Sequence, residues 1–217
     1  MNEQQTYSVL AIDDHPLFRK GVADLIDMEA SLQLIGEAAN GENGLRLTVE
    51  LNPDLILLDI NMKGMNGIET LKAIKQMELD SRILMLSVSD NEEDVVAALR
   101  LGADGYLLKD MEPEDILECL RSAVQGKVVI SDRLTQLLAR ALREEAEAPK
   151  ALAEVELTAR EQEILGLISC GMSNRLISKE LDIKEGTVKV HVKHLLKKLN
   201  LHSRVEAAVW ALKNLGK

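Results

Sequence analysis

Acidic, hydroxyl and ammonium side chains follow four separate apolar runs of this sequence. Asp13 and Asp14 follow the first run, Asp59 follows the third, Ser87 ends the fourth and Lys109 follows the fifth. Clustered carboxylates repel one another unless a cation joins them, and oxygen ligands of this kind favour Mg²⁺. An ammonium and a hydroxyl could hold the other oxygens of a phosphoryl group. The set therefore suits in-line transfer of a phosphoryl group onto Asp59.

Each of these residues taken singly has an ordinary explanation. An aspartate at a strand end is usually a turn or capping residue, Ser87 alone would be a loop hydroxyl, and Lys109 alone a solvated charge. Their joint placement favours a site, because ligands of open parallel sheets bind beyond the carboxyl ends of the strands. An ionised Asp59 at the end of a buried strand is costly unless compensated, and a metal and Lys109 would compensate it.

The apolar runs alternate with helical patterns over residues 8–126. This alternation predicts an α/β domain, a parallel five-stranded sheet covered by helices on both faces. Glycine-containing loop signals lie between the elements. The predicted strands are Val9–Ile12, Leu32–Ile35, Leu55–Leu58, Ile83–Leu86 and Tyr106–Leu108, and the predicted helices are 16–28, 42–51, 67–77, 91–101 and 113–125.

Four motifs of this part resemble the receiver domain of two-component response regulators. They are IDDH at 12–15, LLDINMKGMNGIETL at 57–71, LSVSD at 86–90 and GADGYLLKD at 102–110. The resemblance implies the doubly wound, flavodoxin-like fold and phosphorylation of Asp59 by a sensor histidine kinase. The sequence departs from the family pattern at Met62-Lys63-Gly64, where many receivers have Met-Pro-Gly. This change can alter the mobility of the loop, and it leaves the acidic cluster intact.

The same resemblance assigns roles to the candidate residues. It implies that Mg²⁺ is held by Asp14, Asp59 and the Asn61 carbonyl, with Asp13 as a further ligand. It implies that the remaining three residues respond to the phosphoryl group, Ser87 and Tyr106 by switching position and Lys109 by direct contact.

Residues 155–217 show only helical periodicity. Capping-box patterns at Thr158–Glu161 and Ser203–Glu206 predict two helix starts, and further helices are expected at 174–181 and 185–199, with the last at 203–215. Before this part, residues 128–154 contain a helical pattern and then an Ala- and Glu-rich stretch broken by Pro149, which indicates a connecting helix plus linker. The predicted division is therefore 1–127, 128–154 and 155–217, the last an all-α four-helix domain.

The helix predicted at 185–199 carries an apolar side chain on its basic face. Val190 lies about 200° around the helix from Val188, whose stripe faces the core, so Val190 points toward lysines. An apolar side chain among lysines suits a thymine methyl in a major groove, while the lysines reach phosphates or guanine edges. The alternative is a solvated basic face on a structural helix.

The segment 157–208, which begins LTAREQEIL and includes GTVKVHVKHLLKKL, resembles the LuxR-type helix-turn-helix. The resemblance implies base contacts by Lys189, Val190 and Lys193, and pairing through the last helix. Candidates for backbone contacts or support are Thr187, His191, Lys197 and Lys198. Together the two resemblances place the chain in the NarL/FixJ class, and they imply nitrate- or nitrite-responsive control of anaerobic respiratory genes.

The charge of the chain is uneven. Its net charge is −10, but residues 151–217 carry eleven Lys and Arg against eight Asp and Glu, whereas residues 1–150 carry fifteen against 28. An acidic first domain could cover the basic surface until phosphorylation separates the two. The partners implied are double-stranded promoter DNA with inverted repeats, the kinase and a second copy of the chain, with RNA polymerase as a further candidate.

The N-terminus and the apolar runs resemble neither a signal peptide nor a membrane span, so a cytoplasmic protein without a membrane partner is expected. Cys119 and Cys170 are expected to be buried, unpaired thiols. Three other functions compete with the switch. A Mg²⁺-dependent phosphatase would need a second acid where Asn61 stands, so an enzyme is not expected. A regulator sensing an apolar ligand would need an aromatic-lined pocket, and the chain has four aromatic residues. A phosphorylation-independent regulator stays open.

Overall fold

The computed structural model describes residues 6–77, 79–88, 91–125, 127, 129, 134–136, 138–140 and 156–215. Its first part contains the five strands β1 (Tyr7–Ile12), β2 (Leu32–Ala38), β3 (Leu55–Asp59), β4 (Arg82–Ser87) and β5 (Gly105–Leu108). They form one sheet in the order β2-β1-β3-β4-β5, and every neighbouring pair is parallel. The predicted doubly wound sheet is confirmed.

The largest difference from the predicted strands is in β2. This strand continues three residues beyond Ile35, because Glu37 and Ala38 stay paired with the end of β1. Glycine and glutamate are depleted in strands, so the Gly36-Glu37 pair ended the apolar pattern before the strand itself ended. The strand β3 includes Asp59, which places this carboxylate on the last residue of a fully buried strand.

Helices cover both faces of the sheet. One face packs against α1 (Pro16–Asp27) and α5 (Pro113–Val124), and its core includes Ile26 and Leu120. The opposite face packs against α2 (Gly41–Leu51), α3 (Gly67–Gln76) and α4 (Glu92–Arg100). Both faces bury apolar side chains, which explains why the strands are continuous apolar runs rather than alternating ones.

A glycine allows α3 to begin directly beside the end of β3. A Cβ atom at Gly67 would lie 2.1 Å from the Asp59 carbonyl oxygen, so only glycine fits this approach. The Gly67 N–H also donates to the Ile60 carbonyl at 2.9 Å. The preceding Asn66 forms a capping box with Glu69, which fixes the start of α3. The loop between β3 and α3 is thereby held at both ends beside Asp59.

The C-terminal part consists of α6 (Ala159–Ser169), α7 (Asn174–Glu180), α8 (Glu185–Leu199) and α9 (Arg204–Asn214). The α7–α8 pair has the helix-turn-helix arrangement, and Asp182 adopts a left-handed conformation (φ 49°) in the turn. The predicted capping box at Thr158 is present. The second is only half formed, because Glu206 accepts from the His202 N–H instead of the Ser203 N–H.

The last helix also packs against the first domain. Residues 205–211 are all buried, and all of them except Glu206 belong to one apolar cluster that continues into that domain. Residues 134–136 and 138–140 are helical, in agreement with a connecting helix, whereas the predicted linker 141–154 lies outside the described residues. In the described part of the chain, no helix has both the length and the apolar character needed to cross a bilayer.

The prediction for the cysteines was wrong in one case. Cys119 is half-buried, but Cys170 is exposed. Cys170 is the C-terminal capping residue of α6, where the chain leaves the helix and the apolar periodicity no longer fixes which way a side chain points.

Candidate functional site

The acidic cluster forms where β1 and β3 end side by side. Asp13 directly follows β1 and Asp59 ends β3, and because these neighbours are parallel both carboxylates reach the same edge of the sheet. Lys109, which follows β5, extends its Nζ to 2.7 Å from Asp13 Oδ2 and 3.0 Å from Asp59 Oδ1. All three side chains are almost fully buried. The single positive charge of Lys109 therefore offsets only part of the cost of burying two negative charges.

A second layer of this cluster is more accessible. Asp14 accepts a hydrogen bond from the backbone N–H of Lys63 at 3.2 Å, which ties it to the loop after β3. His15 places Nδ1 at 2.9 Å from Asp14 Oδ1 and at 3.7 Å from Asp59 Oδ2. The backbone N–H of Asn61 donates to Asp59 Oδ1 at 3.3 Å. His15 was not among the predicted site residues.

The cluster has the chemistry of a divalent-cation site. Asp13, Asp14, His15 and Asp59 each offer one ligand atom, and these atoms lie within 4.8 Å of one another. Asp59 Oδ2 is buried and accepts no hydrogen bond from the described residues, so it can still bind a ligand. An oxygen-rich set with three carboxylates matches the preference of Mg²⁺. The residues therefore fit the metal that the sequence predicts.

Burial raises the pKa of Asp59, and the hydrogen bond from Lys109 opposes this rise. Nearby Asp13 raises the pKa further, because two adjacent negative charges repel. A desolvated carboxylate with one free oxygen suits a nucleophile better than a solvated one. Lys109 itself is positioned by packing, since its Nζ lies 4.7 Å from the centroid of the Phe18 ring.

The predicted switch residues lie on the next two strands. Ser87 ends β4, is almost fully buried, and its carbonyl accepts from the Lys109 N–H at 2.7 Å. Tyr106 lies on β5 with only 2% of its surface exposed, in the apolar cluster that also contains Val95 and Leu99 of α4. The structure thus places Ser87 at the same sheet edge as Asp59, and Tyr106 on the neighbouring strand, in an apolar cluster that it shares with α4.

The predicted DNA-contacting residues lie mainly on the surface of α8. Val190 is 52% exposed, as its position away from the Val188 stripe predicted. The rest of the set divides by exposure: Thr187, Lys189, Lys193 and Lys197 are exposed, while His191 and Lys198 are half-buried.

Two of the lysines on α8 already have partners within the chain. Lys189 forms an ion pair with Asp80, in the loop before β4. Lys198 Nζ lies 2.7 Å from Oε2 of the buried Glu161, which caps α6. Burial would raise the pKa of Glu161, but Lys198 and the hydrogen bonds at Thr158 hold it below its ordinary value. Lys198 thus forms an ion pair within the helical C-terminal domain, whereas Lys189 forms one with the first domain.

Comparison with known proteins agrees with both halves of this arrangement. Residues 9–121 match the response regulator receiver domain, and residues 155–211 match the luxR family of bacterial regulatory proteins. The chain is 54% identical over 213 residues to the nitrate/nitrite response regulator protein NarL of Escherichia coli strain K12, covering 97% of each chain. It is 42% identical over 217 residues to the nitrate/nitrite response regulator protein NarP of the same strain, covering 100% of this chain and 99% of NarP.

A solved structure supports the same conclusion for the first domain. The signal receiver domain of the putative response regulator NarL from Mycobacterium tuberculosis is 36% identical, with a TM-score of 0.55, over 57% of this chain and 99% of that one. With a receiver at one end, a LuxR-type helix-turn-helix at the other and relatives matched along nearly their full length, the chain belongs to the NarL-like two-component response regulators.

Proposed function

We propose that this response regulator is switched by phosphorylation of Asp59 from a sensor histidine kinase. The observation that carries the proposal is the bridge made by Lys109 between Asp13 and Asp59, which leaves Asp59 Oδ2 buried and without a hydrogen bond from the described residues. The large majority of buried side-chain oxygens in proteins accept a hydrogen bond, so an oxygen without one is available for a ligand or a reaction. A nucleophile needs one oxygen free to attack.

In the proposed reaction a carboxylate oxygen of Asp59 attacks the phosphorus of a phosphohistidine. A P–O bond forms while the P–N bond breaks, and its electron pair leaves with the imidazole. Lys109 moves its hydrogen bond to a phosphoryl oxygen, and the Ser87 hydroxyl can donate to another. Mg²⁺, held by Asp13, Asp14, Asp59 and the Asn61 carbonyl, would neutralise the charge that the phosphoryl oxygens bring.

A small apolar surface beside the site suits docking of the kinase. Leu17 is 88% exposed and Val88 is 70% exposed, and both line a concave surface that also contains His15, Phe18 and Lys109. Exposed large apolar side chains around a reactive group favour a protein partner over a freely diffusing small substrate. This supports a protein as the phosphoryl donor.

We further propose that the unphosphorylated chain hides its DNA-binding surface. Lys189 is paired with Asp80, and α9, the helix expected to pair two copies, packs against α4. Arg100 of α4 places Nε 3.9 Å from Oε1 of the buried Glu206 on α9. Tyr106 packs in the same cluster as α4, so a shift of Ser87 and Tyr106 could loosen α9 from the first domain.

Once released, two copies would bind promoter DNA through α8, and a dimer of this symmetry suits an inverted repeat. Similarity to NarL and NarP along the whole chain supports a response to nitrate or nitrite. We also propose that the chain acts in the cytoplasm on genes for anaerobic respiration, with RNA polymerase as a further partner, as its resemblance to the family implies.

The proposal is tested by incubating the full chain with a small-molecule phosphodonor and Mg²⁺, followed by mass spectrometry of peptides. We expect one phosphoryl adduct, on Asp59, that requires Mg²⁺ and is absent from Asp59→Asn. Asp54→Asn is the matched control, because Asp54 lies at the opposite edge of the sheet, where it accepts from Ser8. Phosphorylation of Asp59→Asn at the same yield as the wild type would show that Asp59 is not the phosphoryl acceptor.

A further inference from the structure

A cleft of about 650 Å³ lies between the two domains, at the opposite edge of the sheet from Asp59. Its walls come from the amino-terminal ends of the strands and from helices α7, α8 and α9. Four of its cationic side chains matter here: Lys75 and Arg82 belong to the first domain, and Lys193 and Arg204 belong to the second. The function proposed above gives this cleft no role.

Six cationic side chains line the cleft against four carboxylates, those of Asp54, Asp80, Asp104 and Glu185. Asp54 accepts hydrogen bonds from Ser8, and Asp80 is paired with Lys189. The carboxylate of Asp104 is shared by two cations, with Lys75 Nζ at 3.0 Å and Arg82 Nη1 at 3.8 Å. Burial would raise the pKa of Asp104, yet these two cations hold it below its ordinary value. Asp104 therefore stays ionised but compensates only one of the two charges.

Arg204 brings a further positive charge and forms no ion pair with a carboxylate of the described residues, although Asp104 lies close enough to favour its charged form. Its guanidinium donates to Asn174 Oδ1 at 2.9 Å and to the Met172 carbonyl, both neutral acceptors. Its Nε is buried and donates to no acceptor in the described part of the chain. Burial and the nearby Arg82 lower the pKa of Arg204 to about 10, while Asp104 opposes this shift, so the group is still charged near neutral pH. A buried charge whose counter-ion is shared with two other cations is incompletely compensated, which is costly.

Lys193 adds a fourth cation at the margin of the cleft. It is exposed and forms no ion pair with the described residues. An anion entering the cleft would thus meet two guanidinium groups and an unpaired ammonium, contributed by both domains. In a purely structural ion-pair network we would expect Arg204 Nε to have an acceptor and each cation to have its own carboxylate. Here Nε has no acceptor among the described residues, and Asp104 is shared.

We propose that the cleft binds a phosphate-bearing anion between Arg82 and Arg204, with Lys75 and Lys193 at its margin. Guanidinium groups match the oxygens of phosphate through paired hydrogen bonds, and an ammonium adds a point charge. The volume lies within the range of small-ligand sites and exceeds what one phosphate fills, so a diphosphate or a nucleotide fits as well.

The anion would stabilise the packed arrangement of the domains, because its binding groups come from both. A ligand that binds only the packed form shifts the population toward it and lowers affinity for DNA. This consequence rests on the proposed function, in which the packed form hides α8. Binding of the anion itself does not.

Titration calorimetry of the unphosphorylated full chain with inorganic pyrophosphate tests the binding site directly. Parallel titrations use inorganic phosphate and ATP, all without divalent cations and at an ionic strength held constant with chloride. We expect saturable binding of pyrophosphate. Each of the single variants Arg82→Gln and Lys193→Gln should weaken this binding about tenfold. Arg46→Gln, which removes an exposed charge on α2, should bind like the wild type.

Two results would overturn the proposal. One is the absence of saturable binding at millimolar pyrophosphate. The other is binding that is lost in Lys193→Gln but unchanged in Arg82→Gln, which would place the anion on the DNA-binding helix alone. Because the titration uses neither phosphodonor nor DNA, its result is independent of whether Asp59 is the phosphoryl acceptor.

Discussion

Lys189 of α8 is ion-paired with Asp80 of the receiver domain. The two residues are 109 positions apart in the sequence, and the pair lies at the opposite edge of the sheet from Asp59. A lysine that is expected to face bases therefore contacts a carboxylate of the same chain. Any signal that starts at Asp59 has to cross the receiver domain to break this contact.

Replacing Asp80 should weaken the packed form. Both side chains of the pair are largely exposed, so the pair contributes little, on the order of 0.2–1 kcal/mol. We expect Asp80→Asn to raise the affinity of the unphosphorylated chain for DNA about two- to fivefold in a mobility-shift titration. Asp27→Asn, an exposed aspartate on α1, makes the same change in net charge. Equal gains in both variants would show a general charge effect instead of a released contact.

The acidic cluster should lose its metal when Asp14 is replaced. Asp14 is the most accessible carboxylate of the cluster and is held by the Lys63 N–H, so Asp14→Asn removes a charged ligand with little change in packing. We expect the affinity for Mg²⁺, measured by calorimetry, to fall at least about tenfold. Asp24→Asn on α1 serves as the control. Unchanged Mg²⁺ binding in Asp14→Asn would mean that the ion lies elsewhere.

Adjacent lysines of α8 should behave differently. Lys198→Ala removes the partner of the buried Glu161, so we expect it to lower the free energy of unfolding by about 1–3 kcal/mol. Lys197→Ala removes an exposed charge and should change stability by no more than about 0.5 kcal/mol, while it weakens binding to DNA. Urea unfolding followed by the fluorescence of Trp210, the single tryptophan of the chain, separates the two. Equal destabilisation by both variants would contradict the structural role of Lys198.

Glu206 should make stability depend on pH. Burial raises the pKa of this carboxyl, so the folded chain holds its proton more tightly than the unfolded chain does. Stability is therefore lost as pH rises from the ordinary glutamate value, about 4.3, through the raised folded value. Glu206→Gln stays neutral and avoids this loss.

The stability of Glu206→Gln relative to the wild type should thus increase as pH rises from about 4 toward neutral. Unfolding followed through Trp210 measures the difference at each pH. Glu180→Gln, on an exposed residue of α7, is the control for the general effect of pH. A difference for Glu206→Gln that stays constant with pH, or decreases as pH rises, would contradict the burial argument.

The sheet and the acidic cluster were predictable because both depend on local patterns. Each buried strand is a short apolar run, and the polar residue that follows it reaches the same edge of a parallel sheet. The structure brings Asp13, Asp59 and Lys109 together at that edge, as this reasoning predicted. It failed for the end of β2, where Gly36 and Glu37 break the apolar pattern although backbone pairing continues.

Other features of the site could not be read from local patterns. A histidine after two aspartates has no distinguishing spacing, so the contacts of His15 with the cluster were missed. The Lys189–Asp80 pair and the Arg204 cleft depend on how the two domains pack, and no periodicity within either domain reports that arrangement. Ser203 and Glu206 have the spacing of a capping box, but Glu206 bonds instead to the N–H of His202, one residue earlier.

The central claim is that phosphorylation of Asp59 exposes the DNA-binding helix. The most direct measurement is a mobility shift on a target selected from random duplexes, with the wild type and Asp59→Asn, each with and without a phosphodonor and Mg²⁺. We expect the donor to strengthen binding of the wild type and to leave Asp59→Asn unchanged. Equal binding under all four conditions would contradict the switch and would favour a regulator that acts without phosphorylation.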